Sequence, residues 1–461
     1  MFRRELAICL AILFGGLSGS VQAQRLSQGE LPTARMLSRF GLERAWWSQA
    51  TMDIRRDRVR HLALGEDNVY VQSTAGTVTA FDADTGVKRW ARQLGRKDDP
   101  SFQAVANDDV VLVVAGLKVF ALDKFDGNVE WELELTKAPS TSPAIDRDQV
   151  YLGTLDGSVF AYDLKKIREL HEEDRLPQWS GVALNWRYKS AKIITAPPVT
   201  NQLVVNFASQ DNSLYSLTAT DRKLLWQLET DRPVSAPLGT GTIDEDRDRD
   251  GELDPGEDLN DDNALGTFDV IFLASEDFNV YCLNRTTGNI LWQFVSGLPI
   301  RKAVRNIGDS VYIFPHGEGV FCVDKRTGIR QWWLPGVIDF VGATRSLVFL
   351  TDQTNNLVVV NRSSGYVVGV MPLKGFTVRY GNELTDRLIM ATETGLTVCI
   401  REAGQEFPTY HAHPERQPIL PEFAPDNPED DEPAEDAAGA AAAADDDDAA
   451  TDENGGSGFT F

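Results

Sequence analysis

Cysteine is scarce in this chain: there are four in 461 residues, and one of them, Cys9, sits inside an N-terminal apolar run. That count excludes a small scaffold stapled by disulfides. Long hydrophobic stretches are missing too, the run from Leu6 to Leu17 being 12 residues against the roughly 20 that span a bilayer. Histidine is rare, and His61, His171, His316, His411 and His413 show no metal spacing such as H-E-x-x-H. Neither a G-x-S-x-G elbow nor a phosphate loop occurs, which removes the usual signatures of serine hydrolases and nucleotide hydrolysis. No basic stripe is present, so nucleic acid is not an expected partner.

Tryptophan, by contrast, recurs. Trp46, Trp90, Trp131, Trp186, Trp226, Trp292 and Trp332 are spaced by 44, 41, 55, 40, 66 and 40 residues, and four of them stand four residues after a turn glycine. The clearest unit, Val69 to Trp90, reads VYVQSTAGTVTAFDADTGVKRW: strand, glycine turn, strand, D-x-x-T-G turn, and a strand bearing tryptophan. VFALDKFDGNVEW (Val119 to Trp131), VYCLNRTTGNILW (Val280 to Trp292) and VFCVDKRTGIRQW (Val320 to Trp332) repeat its second half, each with Asp or Asn four residues before the glycine. PSTSPAI, IITAPPV and RPVSAPL supply a leading fourth strand. Four short strands per unit of about forty residues describe a propeller blade, which cannot bury both faces without neighbours.

A seventh unit, Val348 to Val370, has lost its tryptophan, and an eighth stops at Gly404 before its outer strand. Gly41 to Thr51, with Trp46, reads as that missing strand. The expected fold is all-β: an eight-bladed β-propeller of four-stranded blades, closed by an N-terminal strand that joins the C-terminal blade and so protects its edge. The expected domains are a signal peptide at 1–23, an N-terminal segment at 24–40, the propeller at 41–402 with insertions at 164–186 and 243–266, and an acidic tail at 403–461.

Across residues 41 to 402 the repeat resembles the quinoprotein-like (PQQ-like repeat) propellers, and within them most of all the BamB family, periplasmic subunits of the machinery that inserts β-barrels into the outer membrane. The resemblance implies a non-catalytic scaffold with the barrel-assembly machinery or other cell-envelope proteins as partners. Its rival implication is a quinoprotein oxidoreductase using pyrroloquinoline quinone. That cofactor is not expected, because quinoprotein dehydrogenases carry a vicinal cysteine pair, and none of the cysteines here is adjacent to another. Asp123, Asp324 and their counterparts recur with the repeat, so turn capping explains them better than catalysis. No catalytic residue is assigned. A calcium-dependent module for envelope or surface polymers is the further alternative.

Met1 to Ala23 has Arg3 and Arg4, the apolar run, and small residues ending Val21-Gln22-Ala23, the three parts of a cleaved secretory signal. The expected address is therefore the periplasm or cell envelope, without a membrane span after cleavage. Bacterial lipoproteins have cysteine just after the cleavage site; here Gln24 stands there, a departure from the lipid-anchored BamB relatives. The remaining Cys282, Cys322 and Cys399 fall at the register held by Ala80, Ala121 and Ala161 in other units, so they read as small apolar filler.

The net charge of −24 is concentrated in two places. Residues 421 to 461 hold 14 acidic and no basic residues, and Ile243 to Asp262 hold 11 acidic and two basic, leaving −1 for everything else. The tail is low in complexity and reads as disordered. The insertion contains DRDRDGELDPGE, Asp246 to Glu257, which fits an EF-hand loop: Asp246, Asp248 and Asp250 at positions 1, 3 and 5, Gly251 at the sharp turn, Glu252 at 7, Asp254 at 9 and Glu257 at 12. These six residues are the expected Ca²⁺ ligands, Glu252 through its carbonyl. The flanks read as strand and turn, so a rigid clip is expected rather than a helix pair that opens. A second insertion, Leu164 to Trp186, begins as an amphipathic helix. First-to-second and third-to-fourth strand connections emerge on one side of a blade, so both insertions are expected on one face, the candidate partner face.

Overall fold

The structure is a computed structural model and describes residues 31–246, 250–254, 257–259, 264–373 and 375–412. The signal peptide, the tail beyond residue 412 and Asp248 of the expected calcium loop lie outside the described residues.

Eight four-stranded antiparallel sheets form the expected ring. Blades 1 to 7 run in chain order: Val59 to Gln93, Val105 to Glu134, Ala144 to Lys189, Val199 to Glu229, Gly239 to Val295, Arg305 to Leu334 and Val337 to Met371. Blade 8 takes three strands from Val378 to Glu402 and its outermost from Leu42–Gln49, paired with Leu396–Glu402. In each blade the strands are called A to D from the inside outward; the A strands of blades 8, 1, 2, 3 and 4 lie against one another in turn, as do those of blades 5 and 6. Strands B and C are apolar on both faces because each is covered by two neighbouring blades, as in Val110–Ala115 (VVLVVA), buried at every position. Strand D has one dry face only, and its burial alternates.

Tryptophan sits on strand D opposite a small residue of strand C: Ala80 faces Trp90, Ala121 faces Trp131, Ala161 faces Trp186, Cys282 faces Trp292, Cys322 faces Trp332 and Cys399 faces Trp46. The C–D register shifts beside this pair in every blade, a bulge that re-aims the side chain. The indole then crosses to the next blade. Trp46, Trp90, Trp186, Trp226, Trp292 and Trp332 donate Nε1–H to the carbonyls of Ala83, Lys124, Ala219, Arg285, Lys325 and Arg362, each the residue just after strand C of the following blade. Where a glycine closes that turn the ring lies flat on it: a Cβ on Gly328 would come within 2.7 Å of Trp292, and its φ of +68° is itself glycine territory. The Asp or Asn four residues earlier accepts turn N–H groups, Asp324 Oδ1 from Thr327 N at 2.9 Å for example, so these residues are caps.

Three joints depart from the rule. Between blades 2 and 3 the helix Leu164–Glu172, capped by Asp163, replaces the turn and buries Leu164, Ile167 and Leu170 in the cluster that holds Trp131. Between blades 3 and 4 the glycine position is Arg222, held at φ +62°. Between blades 7 and 8 the lock is inverted. Blade 7 has Gly369 where tryptophan would stand, opposite Val359, and Phe40 fills the space, its ring 2.6 Å from where a Gly369 Cβ would be. Phe40 follows a short helix, Ala34–Ser38, whose Leu37 is wholly buried among blade 7 and 8 residues. Residues 31–40 therefore belong structurally to the ring closure.

Two outcomes test this packing. Trp292→Phe, which deletes one N–H donor and keeps a ring, should lower stability by about 1 kcal/mol, and Phe40→Ala by about 1–3 kcal/mol for a half-buried ring, both read from guanidinium midpoints; an unmoved midpoint for Phe40→Ala would remove it from the closure. The three cysteines are free and buried, and burial pushes the thiols of Cys322 and Cys399 up to about 12 and that of Cys282 upward as well. Native protein should resist a thiol alkylator near pH 8 at all three positions and label at all three once unfolded, by intact mass.

Candidate functional site

One face of the ring carries the A–B and C–D connections, and it is where the chain elaborates. The acidic insertion leaves blade 5 between strand A, Gly239–Asp244, and strand B, Thr267–Ala274; the helical insertion leaves blade 3 between strands C and D. Both are on that face, as expected. The chain leaving strand C of blade 8 also crosses it. Residues 403–412, counted with the acidic tail by composition, are held there: Thr409 N donates to Asp386 Oδ1 at 3.1 Å, His411 N to the Leu384 carbonyl at 3.0 Å, and Thr385 bridges Tyr410. Burial, with Arg362 nearby, pushes the His411 imidazole down to about 4, so it is neutral at physiological pH.

The described part of the acidic loop is folded on itself. Gly251 has φ +78°, the sharp turn required at position 6. Asp246 Oδ2 accepts from Gly251 N at 3.2 Å and Asp250 Oδ1 from Glu252 N at 2.8 Å. Glu257 is buried, with Oε2 3.2 Å from Asp254 N, whereas Glu252 and Asp254 are exposed. The root of the loop is clamped by blade 6, where Arg326 donates to the carbonyls of Asp244 and Glu245. Among the described residues no three His, Cys, Asp or Glu side chains are gathered as a metal cluster; the loop carboxylates turn to their own backbone, and Asp248 lies outside the description.

Sequence reasoning did not find the cavity at the centre of this face. About 570 Å³ in volume, it draws its walls from blades on opposite sides of the ring, including Leu64 of blade 1, Thr240 and Thr242 of blade 5, Asn306 and Lys325 of blade 6, and Glu383 of blade 8, together with His411. Arg285, 4% exposed, also lines it. Its Nε donates to Asn206 Oδ1 at 2.9 Å, and Asp269, itself bonded to Asn201, is 3.9 Å from Nη1. Glu383 is tied to Arg305 at 3.1 Å and to the Asn306 N–H at 3.0 Å. Burial depresses the pKa of Arg285 and of Lys325. The sequence did carry a signal: the residue after the turn-capping Asp or Asn is basic in four units, Lys124, Arg285, Lys325 and Arg362.

Cys282, Cys322 and Cys399 sit in blades 5, 6 and 8, each beneath its own tryptophan, so they do not form a pair in space. Among the described residues no helix is long and apolar enough to cross a membrane.

Known proteins match this architecture. A solved BamB from Moraxella catarrhalis superposes with a TM-score of 0.57 at 16% identity, covering 79% of this chain and 98% of that one. The outer membrane protein assembly factor BamB of Yersinia pestis is 22% identical over 314 residues, 65% of this chain and 72% of its own length; that of Moranella endobia is 22% identical over 278 residues, 58% of this chain and 64%, less than two thirds, of its own. The family profile described as outer membrane protein assembly factor BamB matches residues 74–182 and 252–402. Those stretches cover more than half of the sequence and both sides of the ring, and the chain belongs to the BamB family of PQQ-like-repeat propellers.

Proposed function

We propose that this protein is a non-catalytic scaffold of outer-membrane protein assembly, exported to the periplasm, that docks to the barrel-assembly machinery through its A–B/C–D face. The observation that carries this reading is the family match over residues 74–182 and 252–402, which brackets blade 4 and takes in blades on both sides of it, since a scaffold needs the rigid ring and varies its loops. Low identity to the relatives leaves the contact residues to be found on this chain itself. Pull-down of the mature protein from envelope extracts should recover barrel-assembly subunits; a preparation with no such companions overturns the scaffold role and restores the quinone-enzyme and polymer-binding alternatives.

Calcium is the second part of the proposal. Asp246, Asp248, Asp250, the Glu252 carbonyl, Asp254 and Glu257 would supply oxygens at the spacing a hard cation wants, and the left-handed Gly251 and buried Glu257 favour a loop already bent toward that arrangement. With its root clamped by Arg326, a loaded loop would stiffen the partner face rather than open a groove. Affinity in the range of extracellular modules, roughly 0.1 to 1 mM, is expected. Ca²⁺ should protect the insertion from limited proteolysis in the wild type and fail to do so in Glu257→Gln; identical cleavage with calcium or chelator would sink the calcium role while leaving the scaffold role standing.

A further inference from the structure

We propose that the central cavity of the A–B/C–D face is a binding site for a small oxyanion, a carboxylate or phosphate, held between Lys325 and Arg285. The site is independent of the scaffold role and of calcium. The two residues occupy the same place in successive blades, directly after the capping residues Asp324 and Asn284, and their backbone carbonyls receive the Nε1–H groups of Trp292 and Trp226. The tryptophan locks fix their main chain on the face, and both side chains line the cavity.

Comparison with the other basic residues at this register shows what is unusual. Lys124 of blade 2 is ion-paired with Asp67 at 2.7 Å, and Arg362 of blade 7 donates to the Ile307 carbonyl. Both are answered within the fold. The Lys325 ammonium makes no hydrogen bond or ion pair among the described residues; Asp309 and Asp324 act on it only through space. Arg285 is almost wholly buried, and its Nη2 is a buried donor with no acceptor. A buried guanidinium nitrogen left without an acceptor is costly.

The acids on the cavity wall do not cancel these cations. Arg305 neutralises Glu383, which also accepts the Asn306 N–H. Asp269 takes a hydrogen bond from Asn201 and stands 3.9 Å from Arg285 Nη1, which leaves Nη2 without an acceptor. Among the lining side chains one positive charge, on Lys325, therefore remains, and Arg285 adds the unanswered Nη2 as a charged donor to an oxyanion. Thr240, Thr242 and Asn306 add neutral polar groups to the same wall. A volume of about 570 Å³ lies within the range of small-molecule sites, roughly 300–1,000 Å³, and exceeds what a lone inorganic ion requires. His411, which also lines the cavity, is neutral at physiological pH and adds no charge of its own.

Calorimetric titration of the full chain at low ionic strength, with succinate in one series and inorganic phosphate in another, tests the site. Saturable binding of at least one is expected, and whichever binds identifies carboxylate or phosphate as the natural group. Lys325→Gln should weaken it at least about tenfold, the worth of a charge-assisted hydrogen bond. The substitution leaves the carbonyl that Trp292 uses, so the fold should survive, and an unchanged melting curve checks this. Lys124→Gln, at the same register in blade 2 and away from the cavity, should leave binding as it was. Should Lys325→Gln fail to fold, Thr242→Val provides a second weakening. Absence of binding by both probes at millimolar concentration, or equal affinity in wild type and Lys325→Gln, overturns the proposal.

Discussion

The structure depends on one contact made six times over: an indole on the outer strand of a blade, lying on the C–D turn of the next and donating its N–H to the first carbonyl after strand C. A blade has two apolar faces and no means of covering either alone. Generic hydrophobic burial would hold neighbouring sheets together but would let them slide. The indole prevents sliding because it combines a large dry ring with a directional donor, and because at five of the six joints the turn beneath it is opened by a glycine that leaves out a Cβ. The same geometry explains the small residue on strand C behind each tryptophan. Alanine or cysteine fits there, and a thiol in that place is a packing group rather than a reagent.

The joints that break the rule show which part of it is physical necessity. At blade 3 a helix takes over the turn, and Trp131 is nonetheless buried, now against Leu164, Ile167 and Leu170; what matters is that the ring be covered. At blade 4 Arg222 adopts the left-handed conformation without glycine, at an energetic cost of roughly 1 kcal/mol. At the closure the two partners exchange roles. Blade 8 is split between the chain's two ends and has no covalent C–D turn to offer, so blade 7 presents glycine and Phe40 brings the ring. The contact survives with its polarity reversed, which argues that filled volume at the joint is the constraint and that the residue supplying it is free to change.

This division also separates what the sequence discloses from what it hides. Tryptophan spacing, the capping Asp or Asn, the turn glycines and the N-terminal strand are local or periodic, and they were enough to count eight blades and place both insertions on one face. The alanine register even accounted for Cys282, Cys322 and Cys399. Phe40 could not be assigned, because its partner Gly369 is more than three hundred residues away and glycine at a tryptophan position reads only as a loss. Residues 403–412 were hidden by composition, their polar character resembling the acidic stretch beyond them, whereas their hydrogen bonds to Leu384, Thr385 and Asp386 are purely tertiary. The proposed calcium ligands rest on spacing alone. The central cavity was not legible, since Arg285 and Lys325 meet only when blades 5 and 6 are locked side by side.

The lock and the chemistry of the face are carried by different parts of the same residue. The position after the capping Asp or Asn serves the fold through its carbonyl oxygen, which any amino acid possesses, while its side chain is left to the face. Alanine stands there in blades 1 and 4, and lysine or arginine in blades 2, 5, 6 and 7, with the same indole bond received by each. A backbone acceptor thus frees the side chain from structural duty, and the ring can change the charge around its central cavity without loosening a joint. The acidic insertion follows the same economy of parts. It grows from the turn between strands A and B of blade 5, immediately beyond Thr242 on the cavity wall, and is anchored by Arg326 through the backbone carbonyls of Asp244 and Glu245. Rigidity in this protein resides in main-chain acceptors, and that is why one face of so regular a ring can carry side chains this irregular.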